Sequence, residues 1–268
     1  MTLPLLEPSQ ISEQIISFIK DIFVSHHKTT AVIAVSGGID SSLAVTLLTR
    51  ALGADQVVPL LLPYQNQDMS DAREILKWNQ IPESRWQTVK IEGMVAAAAQ
   101  ATGLDVVMPH DPQAKIRAGN LMARARMMVV FDNAKKLDGL VCGTENKSEH
   151  YLGYFTRFGD AASDFEPIAN LYKTQVRELS KWLGLPEHLI QKAPSAGLWS
   201  EQTDESEMGF SYEVADQVLA SLIDGQQKPE QIVIPGISAE VIKSVLAQVD
   251  SMAFKRMVPY SLDTSSTT

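Results

Sequence analysis

The sequence has only one cysteine, Cys142, among its 268 residues. A single cysteine excludes an internal disulfide and a zinc site built from several cysteines, and it suits a reducing compartment. No apolar run approaches the ~18 residues that a membrane span needs. The N-terminus also lacks the basic and apolar segments of a secretory signal. We therefore expect a cytoplasmic protein that does not bind a membrane.

Positive charge is also in short supply, because 23 Lys and Arg stand against 32 Asp and Glu, giving a formal net charge of -9. This balance argues against a surface that coats nucleic acid, since such a surface needs a basic footprint. The hydrophobic content of 45% is that of an ordinary globular protein. We predict a single domain over 1–268, with about 261–268 as a flexible tail.

Apolar segments with the period of a strand alternate with segments that have the period of a helix. We expect strands at 31–35, 57–62, 87–91 and 140–142, and helices at 9–23, 41–52, 70–79, 92–101, 120–136, 212–222 and 238–250. This order predicts an α/β fold, a three-layer, doubly wound parallel sheet of the Rossmann-like type. In such sheets ligands bind beyond the carboxyl ends of the strands. The acidic stretch SEQTDESE near 200–208 is predicted to be a mobile loop that could close over a ligand.

The stretch AVIAVSGGIDSSLAV, residues 31–45, joins the first strand to a helix. Gly37 and Gly38 allow a sharp turn and a close approach to a ligand, and the helix N-terminus suits phosphate oxygens. Asp40 beside an anion would be costly unless a cation lay there, which indicates Mg²⁺ on a polyphosphate. Three serines add hydroxyl donors: Ser36, Ser41 and Ser42. The alternative is a plain strand-to-helix turn with a serine cap.

Two further stretches carry chemistry: GNLMARARM from residue 119 and VCGTENKSEHYLGYFTRFGDAASDFEPIANLYKTQVREL from residue 141. With the SGGxDS pattern at residues 36–41, they resemble the NAD synthetases, which are PP-loop ATP pyrophosphatases. The resemblance runs from Ser36 to about Lys255 and implies the adenine nucleotide alpha hydrolase-like fold.

The resemblance implies an enzyme that amidates nicotinic acid adenine dinucleotide (deamido-NAD) to NAD, consuming ATP. The substrate carboxylate would attack ATP and release pyrophosphate, and ammonia would then displace AMP from the acyl-adenylate. About thirty residues precede the first strand, too few for a glutamine-hydrolysing domain, so we expect free ammonia or a separate donor subunit. Relatives of this kind are homodimers, and the resemblance implies a homodimer here.

The resemblance also assigns site residues. Asp40 and Lys173 would act in catalysis, and Asp40 and Glu149 would bind Mg²⁺, which one or two carboxylates usually hold together with phosphates. The residues implied to bind ATP are Ser36, Gly37, Gly38, Ile39, Asp40, Ser41, Ser42, Thr144, Lys173 and Ser195. Those implied to bind deamido-NAD are Arg124, Arg157, Asp164 and Lys255.

Several positions leave the assignment open. Relatives have an aspartate at Gly197, some have histidine at Phe254, and lysine replaces Arg157 in others. Arg126 either binds an anion or pairs with a neighbouring acid, and Asp160 matches a motif without a role that we can assign. The rival functions are another PP-loop pyrophosphatase, such as a GMP synthetase-like amidase, and a non-catalytic nucleotide sensor.

Overall fold

The computed structural model describes residues 6–106, 111–194, 203–257 and 260. Four strands form one parallel sheet: β1 (Ala31–Ala34), β2 (Val57–Leu61), β3 (Gln87–Thr88) and β4 (Leu140–Cys142). Their order across the sheet is β3-β2-β1-β4, so the chain reverses its direction of travel beside β1. The predicted parallel α/β sheet is confirmed. Such sheets bind ligands at the carboxyl ends of the strands where the strand order reverses, which here are β1 and β4.

Helices cover both faces of the sheet. They are α1 (Pro8–Ser25), α2 (Ile39–Leu52), α3 (Ser70–Trp78), α4 (Glu92–Ala101), α5 (Pro112–Lys136), α6 (Lys147–Leu152), α7 (Lys173–Trp182), α8 (Glu187–Gln191), α9 (Asp204–Met208), α10 (Tyr212–Leu219) and α11 (Ala239–Ser251). One hydrophobic core joins α1, α2, α3 and α7 to the sheet, and a second joins α4 and α5 to its other face. The predicted three layers are therefore present. A third core packs α6, α10 and α11 together beside the sheet.

The structure corrects the bounds of several elements, most clearly those of α5 and β3. Helix α5 begins at Pro112 rather than at 120, because the Asp111 carboxylate accepts a hydrogen bond from the Ala114 N–H at 2.7 Å and caps the helix. Strand β3 contains two residues instead of five, although the Val89 N–H still donates to the Leu61 carbonyl at 2.9 Å. It lies at the edge of the sheet, where pairing on one side alone supports it.

The predicted mobile loop at 200–208 is wrong for the part that the structure describes. Asp204–Met208 forms the short helix α9, and the Thr203 hydroxyl accepts from the Ser206 N–H to cap it. Asp204 is only 3% exposed. The acidic composition misled the prediction because Asp204 and Glu205 accept hydrogen bonds from Tyr212, which is fully buried.

Helix α10 also ends earlier than predicted and continues as a π-helical turn over Ala220–Asp224. Two predictions fall outside the described residues: the tail at 261–268 and the ATP contact at Ser195. Among the helices of the described ranges, none combines the length and apolarity that crossing a membrane would require.

Candidate functional site

A cavity of about 420 Å³ opens at the carboxyl ends of β1 and β4. Ser36, Gly38 and Asp40 line it from the connection after β1, and Thr144 and Glu149 line it from the segment after β4. The sheet order makes these two connections neighbours, although about a hundred residues separate them in the sequence. The cavity therefore gathers residues of both predicted motifs.

Gly37 gives the connection after β1 its sharp turn. Its φ angle of +85° lies in the region that side chains disfavour, and an added Cβ would lie 2.7 Å from both Asp71 Cβ and the Ala72 amide nitrogen. The glycine is therefore required twice, for its backbone angle and for its contact with α3. This packing fixes the loop against the protein on the side away from the cavity.

Serine hydroxyls hold the rest of the loop. The Ser36 N–H donates to Ser41 Oγ at 3.3 Å, and Ser41 Oγ donates to the Gly38 carbonyl at 3.0 Å. The Gly38 N–H donates to Ser36 Oγ at 3.2 Å. Helix α2 starts directly after Gly38 without a side-chain cap from any described residue. Its first-turn N–H groups thus remain for an anion in the cavity.

Lys173 joins the two acids at the cavity wall. Its Nζ donates to Asp40 Oδ2 at 2.6 Å and to Glu149 Oε1 at 2.9 Å. The Lys173 side chain is 2% exposed and each carboxylate side chain is 17% exposed. Burial alone would lower the pKa of Lys173, but attraction to Asp40 and Glu149 raises it above its ordinary value. Burial raises the pKa of Glu149, and the nearby Asp40 carboxylate acts in the same direction.

Asn146 connects these acids through a second route, which the sequence analysis missed. It is fully buried, and its Nδ2 donates to Asp40 Oδ1 at 2.8 Å. Its Oδ1 accepts from the Glu149 N–H at 3.0 Å, while the Glu149 carboxylate accepts from the Asn146 N–H at 3.4 Å. This reciprocal arrangement is a capping box at the start of α6. The Asn-x-x-Glu spacing after β4 is the signal that could have revealed it.

Asp216 holds the helix that carries Lys173. This carboxylate of α10 is fully buried and accepts from Ser148 Oγ at 2.5 Å and from the Thr174 N–H at 2.9 Å. Ser148 Oγ in turn accepts from the Lys173 N–H at 2.8 Å. Burial raises the pKa of Asp216, against the opposing effect of these hydrogen bonds. An acid in the middle of a helix reads as a solvent-facing residue, so nothing in the sequence pointed to this role.

Two further cations line the cavity and are held by uncharged partners. Lys255 Nζ donates to the carbonyls of Gly153 at 2.6 Å and Phe155 at 2.8 Å, and burial lowers its pKa. Arg126 Nε donates to the Leu62 carbonyl at 3.1 Å, and burial lowers its pKa as well. The predicted alternative of an ion pair is not found for Arg126 among the described residues. Both side chains line the cavity and keep donors available to an anion.

Asp160 also lines the cavity, and its Oδ1 accepts from the Thr156 N–H at 2.9 Å. The carboxyl faces the open cavity, yet the surrounding protein raises its pKa by withdrawing it from bulk water. Its sequence motif left it without a role, and the structure places it in the same cavity as Lys255.

Two further residues predicted to bind the dinucleotide lie beside one another. Arg124 Nε donates to the Arg157 carbonyl at 3.2 Å. The Arg157 guanidinium lies 5.6 Å from the Phe254 ring and donates to the Phe254 carbonyl at 3.3 Å. Arg157 and Phe254, two positions at which we expect this sequence to differ from its relatives, therefore contact each other.

Neither Arg124 nor Arg157 lines the cavity, and the same holds for the side chains of three other predicted residues, Asp164, Ile39 and Ser42. Asp164 Oδ2 accepts from the Val141 N–H at 2.7 Å and extends the pairing of β4. Ile39 and Ser42 are buried in the body of α2. Within the described ranges, these side chains do not line the cavity. Any contact of Ile39 or Ser42 with a ligand would involve the backbone.

A family model described as NAD synthase matches residues 11–259. The chain belongs to the NAD synthase family.

Individual relatives of the family match over nearly their full length. An NH3-dependent NAD+ synthetase from Methanosarcina mazei is 40% identical over 251 residues, covering 92% of this chain and 94% of the relative. The structure of an NMN synthetase from Francisella tularensis has a TM-score of 0.81 at 33% identity, covering 97% of this chain and 100% of its own. The structure of an NH3-dependent NAD synthetase from Campylobacter jejuni in complex with nitrate has a TM-score of 0.77 at 29% identity. The match covers 96% of this chain and 100% of that one.

In this NAD synthase family member, a half-buried acid, Glu166, lies next to Gly143, which lines the cavity. Its carboxyl accepts from the Glu145 N–H at 3.0 Å and from the Ser163 hydroxyl at 2.8 Å. An added Cβ on Gly143 would lie 1.8 Å from it, so the glycine makes room for this acid at the end of β4. Burial raises the pKa of Glu166 from 4.5 to about 8.

This pKa predicts a pH-dependent effect of Glu166→Gln. Between 4.5 and about 8 the unfolded chain loses the Glu166 proton while the folded chain keeps it. The wild type therefore loses stability as pH rises through this window, by up to ~1.4 kcal/mol per unit. Glutamine does not titrate, so the free energy of unfolding of the variant, relative to wild type, should increase with pH.

Urea unfolding at several pH values across that window measures the difference. The matched control is Glu13→Gln on the exposed face of α1, whose difference from wild type should stay flat. A Glu166→Gln difference that is equally independent of pH would contradict the assignment.

Proposed function

We propose that this chain catalyses the ATP-dependent, ammonia-using amidation of deamido-NAD to NAD, releasing AMP and pyrophosphate. The observation that carries the proposal is the convergence of Asp40, Glu149 and Lys173 at a cavity lined by the glycine loop. The family membership of the chain and the names of its relatives support the choice of reaction.

ATP would bind with its phosphates against the loop between β1 and α2. Ser36, Gly38 and Ser41 line the cavity there, and the first turn of α2 offers free N–H groups. Thr144 lies on the facing wall after β4. Lys173 would supply positive charge to the phosphates. On the basis of the family pattern alone, we also assign Ser195 to the ATP site as a contact of the nucleotide.

The donor set at the wall fits Mg²⁺. Asp40 and Glu149 offer carboxylate oxygens at the cavity surface, which are the ligands that this hard cation prefers. The buried ammonium between them indicates that the pair is built to hold positive charge. When bound by Asp40 and Glu149, Mg²⁺ would supply charge that stabilises the departing pyrophosphate.

The chemistry follows in two displacements. An oxygen of the substrate carboxylate attacks the α-phosphorus of ATP, the bond to the β-phosphate oxygen breaks, and pyrophosphate leaves. Ammonia then attacks the carbonyl carbon of the acyl-adenylate, loses a proton, and AMP leaves with the former carboxylate oxygen. The loop N–H groups and Lys173 would stabilise the negative charge that develops on pyrophosphate. No protein nucleophile is required.

The nitrogen would come from free ammonia. The relatives from Methanosarcina mazei and Campylobacter jejuni are both described as NH3-dependent. Cys142 is buried, and burial raises the pKa of its thiol, so it does not suit the nucleophile of glutamine hydrolysis. A donor subunit would be needed only if ammonium failed to support turnover.

The acceptor would be held by three basic residues. Lys255 lines the cavity, Arg157 donates to the carbonyl of the neighbouring Phe254, and Arg124 donates to the Arg157 carbonyl. We assign Asp164 to the substrate site on the family pattern. A second candidate is the corresponding mononucleotide, since the structural relative with a TM-score of 0.81 is an NMN synthetase. The two reactions share every step and differ only in the acceptor.

The deciding experiment incubates the pure chain with ATP, Mg²⁺, ammonium and either deamido-NAD or nicotinic acid mononucleotide. We expect equal amounts of NAD, AMP and pyrophosphate with deamido-NAD, and less product with the mononucleotide or with glutamine as the nitrogen source. A higher kcat/KM with the mononucleotide would replace the substrate assignment by the second candidate. Absence of ATP cleavage with both acceptors would favour a GMP synthetase-like amidase or a sensor.

Asp40→Asn tests the site in the same assay. Removal of a direct metal ligand should lower kcat/KM by about 100-fold or more, because even the outer partners of metal ligands contribute 10–100-fold. The matched control is Asp21→Asn on the exposed face of α1, which should retain wild-type turnover. Equal activity of the two variants would contradict the role of Asp40.

We also propose that the chain is a homodimer. Helix α5 exposes Ile116, Met128 and Phe131, large apolar side chains that a second copy could cover. Light scattering of the purified chain should give about twice the mass of 29.4 kDa. The monomer mass at micromolar concentration would contradict this proposal.

We also propose that the chain is located in the cytoplasm. The one cysteine is buried and free, which fits a reducing environment such as the cytoplasm.

A further inference from the structure

The carboxylate pair that we assign to Mg²⁺ already contains a cation, the ammonium of Lys173. Its Nζ lies 2.6 Å from Asp40 Oδ2 and 2.9 Å from Glu149 Oε1, and only 2% of the Lys173 side chain is exposed. Both acids line the cavity, whereas Lys173 approaches them from the protein side, at the first residue of α7. The ammonium therefore neutralises part of the charge that would attract a metal ion.

We propose that Lys173 makes divalent-metal binding conditional on the nucleotide. Its ammonium occupies the Asp40–Glu149 pair and moves away only when nucleotide phosphates bind, which frees the two carboxylates for the metal ion. The inference rests on the proposed metal assignment of these two acids. It concerns the order in which ligands enter the site and does not depend on which acceptor is amidated.

Space and charge both oppose simultaneous occupation. Mg²⁺ binds oxygen at about 2.0–2.1 Å, closer than either contact of Nζ. An ion ligated by Asp40 Oδ2 and Glu149 Oε1 together would thus need the space that the ammonium fills. Two cations on one carboxylate pair also repel each other strongly when water is excluded.

The surroundings give the Lys173 ammonium alternatives once it leaves the pair. The Tyr212 ring is 5.2 Å from Nζ, a distance at which an aromatic face attracts a cation. Asp204 is also near. Burial raises the pKa of the Asp204 carboxyl, and the positive charge of Lys173 acts in the opposite direction. Asp204 Oδ1 is buried and accepts no hydrogen bond from the described residues. Nucleotide phosphates at the adjacent loop of Ser36–Ser41 would add the further attraction.

The test measures Mn²⁺ binding without substrate, using the electron paramagnetic resonance signal of the free ion. Wild type and Lys173→Met are titrated with Mn²⁺ alone, and Lys173→Arg serves as the control that keeps the charge. We expect Lys173→Met to bind Mn²⁺ at least about tenfold more tightly than wild type, a difference of about 1.4 kcal/mol. Lys173→Arg should bind as weakly as wild type. Wild-type affinity within twofold of that of Lys173→Met overturns the proposal.

Loss of a buried ammonium could unfold Lys173→Met, which circular dichroism would reveal, so a second measurement uses the wild type. Lysine labelled with ¹³C at Cε gives a Lys173 signal, assigned by its disappearance in Lys173→Arg. Addition of Mn²⁺ alone should leave this signal sharp, and Mn²⁺ with a non-hydrolysable ATP analogue should broaden it. Broadening by Mn²⁺ alone overturns the proposal. Neither result depends on turnover, so failure of the amidation assay remains a separate outcome.

Discussion

One ammonium group, that of Lys173, holds together carboxylates that the sequence places far apart. Asp40 follows β1, Glu149 follows β4, and Lys173 begins a helix 133 residues after Asp40. A buried charge needs paired partners, because isolated burial is costly and breaking such a pair leaves a bare ion. The adjacency of β1 and β4 in the parallel sheet brings Asp40 and Glu149 together at the carboxyl ends of these strands.

A set of buried polar groups outside the cavity maintains this geometry. Asn146 fixes the distance between the two acids, and Asp216 fixes the start of α7 through Ser148 and Thr174. These contacts join α2, α6, α7 and α10, so helices of the third hydrophobic core also support the site. Networks of this kind are effective only when each member is satisfied. A substitution in α10 could therefore alter the cavity without touching a ligand.

The sequence predicted much of the fold because the apolar strands and the glycine loop are local signals. The signature around Asp40 and the segment containing Glu149 likewise identified residues that converge in space. Asn146 and Asp216 escaped prediction because their roles depend on neighbours that only the tertiary structure supplies. Helix α9 was mistaken for a loop because acids usually indicate solvent, whereas Asp204 and Glu205 bind Tyr212 in the interior. The contact between Arg157 and Phe254 was equally invisible, since 97 residues separate them.

The central claim is that Asp40 and Glu149 form the metal-binding wall of an ATP site. A crystal structure of the chain with Mg²⁺ and a non-hydrolysable ATP analogue tests it most directly. The account predicts one Mg²⁺ at about 2.0–2.1 Å from an oxygen of each carboxylate, with the phosphates against the loop at Ser36–Ser41. A metal ion held by phosphates and water alone, with Asp40 and Glu149 still bound only to Lys173, would contradict it.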